Sequence, residues 1–139
     1  MREKWKYQSK TEKQVINMFK TKKPMGFSSI EVFSDWYFNL PKVCHYCGLK
    51  EEESQEIIHE GILVSKRFPK GGLIHRGVFR GYWLEIDRKN PNGKYSIENC
   101  VLACVFCNND KSDVFSEDQY KEFCMDRIGF LRKLLTANS

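Results

Sequence analysis

Two Cys-x-x-Cys pairs, Cys44/Cys47 and Cys104/Cys107, constrain this 139-residue chain more than any other feature of it. A Cys-x-x-Cys turn aims two sulfurs at one point, and two such turns supply the tetrahedral shell that zinc favours. A shared ion pulls residues 44–47 and 104–107 together across the 56 residues between the pairs. This spacing suits a metal better than a loop staple, so these four cysteines read as Zn2+ ligands, with reactive dithiols as the alternative. Cys100 and Cys124 read as buried thiols. A shell of four thiolates has no open position, so its ion holds the fold and does no chemistry. The run Val43–Gly48 is a tight knuckle whose glycine lets the backbone amides turn toward the thiolates, with His45 a bystander inside it.

The remaining text has enough apolar content, 41% of residues, for one compact core, and residues 1–139 read as a single domain. No run approaches the roughly twenty apolar residues that cross a bilayer, and the opening MREKWKYQSK lacks the apolar core of a secretory signal. A soluble, cytoplasmic protein with no membrane partner is expected. The fold class is α+β, in three parts: a helical basic region over 1–40, a zinc-bracketed core over 41–115 with an insertion at 49–81, and a long C-terminal helix over 116–139.

Local patterns fill in that outline. Val15 and Phe19 lie one turn apart and predict an amphipathic helix over 10–20, ended by Lys22-Lys23-Pro24. Ser28 with Glu31 forms a capping box for a second helix over about 29–38, carrying Ile30, Phe33, Trp36 and Tyr37. Residues 49–60 are an acidic excursion, mobile or helical. Residues 61–81, with Gly71-Gly72 and scattered arginines, suggest a twisted ribbon or long loop of undetermined shape. Tyr82–Asp87 alternates as a strand, Asn92-Gly93 supplies a turn, and Cys100–Ala103 returns as the partner strand. A short helix follows the second knuckle. Ser116 with Gln119 caps the last helix, Phe115 and Tyr120 form a hydrophobic staple, and Tyr120, Cys124, Ile128, Leu131 and Leu135 make its buried stripe.

Charge is unevenly spread. Residues 1–23 hold eight Lys/Arg against two acids, residues 63–94 again eight against two, and residues 48–62 five glutamates against Lys50. Two basic blocks interleaved with Trp5, Tyr7, Phe68, Phe79, Tyr82 and Trp83 suit a polyanion with stackable bases, although solvated lysines alone produce such patterns.

The runs Leu84-Glu85-Ile86-Asp87-Arg88, Gly93-Lys94-Tyr95-Ser96, Glu98-Asn99 and Ala103 to Ser112 resemble, in order and spacing, the ββα-metal (His-Me finger) motif of HNH endonucleases bracketed by Cys-x-x-Cys pairs. The likeness covers residues 44–47 and 82–113. A looser one, through Phe33–Tyr37 and Phe115-Ser116, extends to small restriction enzymes of the PacI type and to phage HNH nucleases. It implies that Asp87 and Asn108, 21 positions apart, ligate a divalent cation, Mg2+ or Mn2+, and that Asn99 holds the intervening loop. Magnesium prefers oxygen ligands and, held by few protein groups, keeps sites for phosphate oxygens.

One departure stands out. Many members of this family have histidine after the aspartate as general base, whereas this chain has Arg88, which stays protonated and is expected to clamp a phosphate. The base then comes from elsewhere or from solvent, with Tyr37 the first candidate through its likeness to the Trp-Tyr of PacI-type enzymes, followed by His75, Tyr82 and His59. Lys94 and Lys111 are candidate phosphate contacts, and Arg76 and Arg80 candidate readers of guanine. The resemblance implies a metal-dependent endonuclease on double-stranded DNA that leaves 5′-phosphate and 3′-hydroxyl ends. A sequence-specific, restriction-type homodimer is favoured over a phage homing or nicking enzyme, and a zinc-containing DNA-binding module without catalysis is the alternative. A bacterial or phage-infected cell is the expected setting.

Overall fold

The computed structural model describes residues 6–21, 26–63, 81–124 and 126–138. In chain order the elements are α1 (Glu12–Thr21), α2 (Ile30–Asn39), α3 (Glu51–His59), β1 (Glu85–Arg88), β2 (Cys100–Ala103), α4 (Val105–Lys111), α5 (Glu117–Phe123) and α6 (Arg127–Asn138). Among the described residues no helix is long and apolar enough to cross a membrane. The expected ribbon over 61–81 lies largely outside the described residues, as do Trp5, Phe68, Phe79, His75, Arg76 and Arg80.

β1 and β2 form a two-stranded antiparallel sheet in which Glu85 pairs with Ala103 and Asp87 with Val101. The first strand starts later than its alternation predicts, for a reason visible in the register. Residue 84 would face Cys104, but Cys104 has already turned away as the N-cap of α4. The Leu84 amide donates instead to the Glu51 carboxylate at 2.8 Å, and the Trp83 indole donates to the Gln8 carbonyl at 2.9 Å.

Helices α1 and α2 pack together through Phe19, Phe27, Phe33 and Trp36, with ring centroids 5.0–5.6 Å apart. The cap of α2 is Ser29, not Ser28: its hydroxyl accepts from the Val32 amide. Lys42 closes the other end by donating to the carbonyls of Tyr37 and Leu40. The acidic excursion is helical, with Ile57 and Ile58 buried in it. Gln55, also buried there, both donates to and accepts from the Gln8 backbone.

The C-terminal segment is two helices rather than one. The Ser116–Gln119 capping box forms, but α5 ends at Phe123 and α6 begins at Arg127. The predicted stripe survives the break, with Tyr120, Cys124 and Leu131 buried and Ile128 and Leu135 partly buried on the core. The change of direction brings Arg127 onto Asp110 of α4, while Arg132 makes a two-bonded fork with Glu53 of α3.

Candidate active site and metal centres

The first knuckle is shaped by Gly48, whose φ of +83° is reached cheaply only without a side chain. Its amide donates to the Cys44 carbonyl, and the Cys44 amide to Leu49. The His45 amide donates to the Leu102 carbonyl, which docks the knuckle on β2. The second knuckle is the start of α4 itself, where the Cys104 sulfur accepts from the Cys107 amide at 3.4 Å.

Together they bring the sulfurs of Cys44, Cys47, Cys104 and Cys107 within 4.8 Å of one another. Crowding splits the thiols. Cys44 is driven toward thiolate by hydrogen bonds from Cys104, Cys107 and Cys47. Cys104 is pushed up by its bonds to Cys107, Cys44 and Cys47 and by burial. A cation at the centre lets all four ionise together, so this donor set fits zinc.

The second constellation lies where α4 crosses β1. Strand alternation puts Glu85 and Asp87 on one face, and helical spacing puts Asn108 and Lys111 opposite them. The Asn108 side-chain amide donates to Glu85 Oε1 at 2.8 Å. The Lys111 ammonium lies 3.1 Å from Asp87 Oδ2, with side-chain exposures of 0% and 6%, and it also donates to the Arg88 carbonyl at 2.9 Å. The Tyr46 hydroxyl, from inside the first knuckle, donates to that same Asp87 oxygen.

Asn99 donates to the carbonyls of Asn90 and Lys94 and accepts from the Asn90 amide, binding the 90–94 turn to the end of β2. The fit is close: a Cβ on Gly93 would meet the Asn99 amide nitrogen at 2.7 Å. Arg88 donates to the Gly93 carbonyl and lies over the Tyr95 ring, 4.7 Å from its centroid. Lys94 is exposed beside it.

Two candidates sit differently from expectation. Lys111, read as a phosphate contact, is wholly buried and bonded within the protein. Tyr37, read as a candidate base, is 1% exposed, and its buried hydroxyl has no hydrogen-bond partner among the described residues. Burial, with the Glu51 charge behind it, pushes its pKa above the ordinary tyrosine value, the wrong direction for a base. His59 and Tyr82 pair with each other at 2.8 Å. Tyr46 and Glu85 were not singled out from sequence as site residues, although period-two alternation through Asp87 places Glu85 on the same face.

No family model matches the chain, and no curated protein sequence matches it significantly. A solved structure does: the rare-cutting HNH restriction endonuclease PacI, with a TM-score of 0.55 and 25% identity, over 81% of this chain and 70% of that one. The fold described above is therefore HNH-like.

Proposed function

We propose that the chain is a single-domain, metal-dependent DNA endonuclease of the HNH kind, with a structural zinc in the four-cysteine cluster. The observation that carries this reading is the α4–β1 crossing. There Asn108 of the helix bonds to Glu85 of the strand, and Asp87, two positions along that strand, pairs with Lys111 of the same helix, near the four-sulfur cluster. Likeness to a rare-cutting HNH restriction endonuclease gives the reading its substrate class.

Asp87 and Asn108 are the proposed holders of Mg2+ or Mn2+, a hard cation that suits oxygen donors and, when bound, neutralises charge on the phosphate and the departing alkoxide. Arg88, held by Gly93 and Tyr95, offers a phosphate its permanently charged guanidinium, and exposed Lys94 adds charge to the same loop. Asn99 keeps that loop in place. Because burial raises the pKa of Tyr37 and of Tyr82, we assign the proton of the attacking water to His75, to His59 or to solvent. Arg76 and Arg80 are proposed base readers, and the products are 5′-phosphate and 3′-hydroxyl ends. Two copies acting at a palindrome give a restriction-type cut, which sedimentation on a DNA duplex tests directly.

The decisive experiment is plasmid cleavage with magnesium or manganese, with and without EDTA. Asp87→Ala and Asn108→Ala are each expected to slow cutting by about a hundredfold or more. Unchanged cutting by both purified variants overturns the site. Arg88 standing where many HNH enzymes have histidine favours a second reading, a DNA-binding module without catalysis. That reading predicts salt-sensitive DNA affinity and intact plasmid under every divalent ion.

A further inference from the structure

Resting on that reading, we infer that Tyr46 is a positioning residue for the hard-cation site, connecting the sulfur cluster to the carboxylate that grips the ion. It occupies the second interior position of the first Cys-x-x-Cys, yet its hydroxyl reaches 41 residues along the chain to Asp87 Oδ2. That oxygen is already held by Lys111 at 3.1 Å. Both protein contacts therefore converge on one carboxylate oxygen, and among the described residues Oδ1 has no protein hydrogen bond. A carboxylate pinned by one oxygen cannot rotate freely, so the other is presented in a fixed direction. Asn108 is treated in the same way: its nitrogen is held by Glu85, which leaves its carbonyl oxygen for a ligand. Each proposed donor is gripped by the atom a cation does not use, which is how outer-shell groups orient metal ligands.

The ring of Tyr46 is well fixed for this task. It packs edge-on against Tyr120 at 5.2 Å and against His45 at 5.2 Å. Its neighbours on either side are committed as well, since Cys47 belongs to the sulfur cluster and the His45 amide is bonded to β2. The hydroxyl thus inherits its position from the knuckle and transmits it to β1, so an ordered knuckle is a condition for an ordered Asp87.

The test is Tyr46→Phe in the full chain, which keeps the ring and deletes the donor. Three quantities are compared with the wild type: zinc per chain by atomic absorption, Mn2+ affinity from loss of the free-ion EPR signal, and the Mn2+ dependence of plasmid cleavage. We expect full zinc content and Mn2+ affinity weakened about tenfold. The half-saturating Mn2+ for cleavage should rise in parallel, with the rate at saturating Mn2+ within about threefold of wild type, because a tilted ligand still binds when the ion is abundant. Wild-type Mn2+ affinity in a zinc-replete Tyr46→Phe protein overturns the inference. So does loss of zinc, which would assign the hydroxyl to the knuckle instead. Asp87→Ala separates this failure from failure of the underlying reading: if it too binds Mn2+ and cuts DNA normally, the active site itself is elsewhere.

Discussion

Consider replacing Lys111 with methionine. The stem length is nearly kept and the site stays filled, so packing changes little and the loss is that of one charge. In the native protein that ammonium sits 3.1 Å from Asp87 Oδ2 and 2.9 Å from the Arg88 carbonyl, with none of its side chain exposed. Without it Asp87 remains as a buried carboxylate, and among the described residues Tyr46 is its remaining side-chain donor. Breaking a buried pair by removing one partner costs about 3–5 kcal/mol, and the surviving hydrogen bond favours the lower end, about 3 kcal/mol. Against a total stability of about 5–15 kcal/mol this is a large fraction, equivalent to a Tm lowered by about 10 °C for a chain of this size. Urea and thermal unfolding of the zinc-loaded protein, followed by circular dichroism, measure it. The informative control adds Asp87→Asn, which removes the charge left behind and should restore about half the loss or more. Lys111→Met within about 1 kcal/mol of wild type, or a double variant weaker than the single one, refutes the buried-charge argument.

Removing the ion proposed for the four sulfurs should dissolve the fold, because Cys104 is both a cluster member and the cap of α4. A strong chelator is expected to abolish the near-ultraviolet circular dichroism and cooperative unfolding, and Cys104→Ser to lower bound zinc; chelated protein with an unaltered spectrum contradicts this. Burial raises the Glu51 carboxyl above the ordinary glutamate value, against the opposing bonds from Tyr7 and the Leu84 amide. The folded state then takes up a proton more readily than the unfolded chain. The stability this adds is complete below the ordinary glutamate pKa and is lost as pH rises through the raised one. Glu51→Gln should flatten that part of the profile, and parallel urea midpoints for the two proteins from about pH 4 to pH 8 would show the coupling absent.

What sequence reveals here follows the range over which each signal acts. The knuckles, the Ser116–Gln119 box and the Asn92-Gly93 turn that folds Cys100–Ala103 back onto the end of the Tyr82–Asp87 run rest on neighbours a few residues apart, and all are present. The start of β1 has no local signal because its limit is set by Cys104, twenty positions downstream of residue 84, turning into α4. The break at Cys124 leaves the apolar stripe intact, so periodicity carries no trace of it. A lysine in the sequence reads as a surface charge free to meet a phosphate because lysines usually are exposed, yet Lys111 shares a helix face with Asn108, and turning that face toward β1 buries Lys111 and half-buries Asn108. The Tyr46–Asp87 bond spans 41 positions and has no local signature at all.

The sulfurs of Cys47 and Cys104 lie 3.8 Å apart in space and 57 positions apart in the chain. During synthesis the first pair leaves the ribosome well before the second, with only two of the four ligands that a tetrahedral ion requires. A copy abandoned before residue 107 therefore has no closed cage, and it also lacks Asn108 and Lys111, the groups that face β1. A truncated product lacks part of both proposed sites, which can be completed only in chains translated past that point.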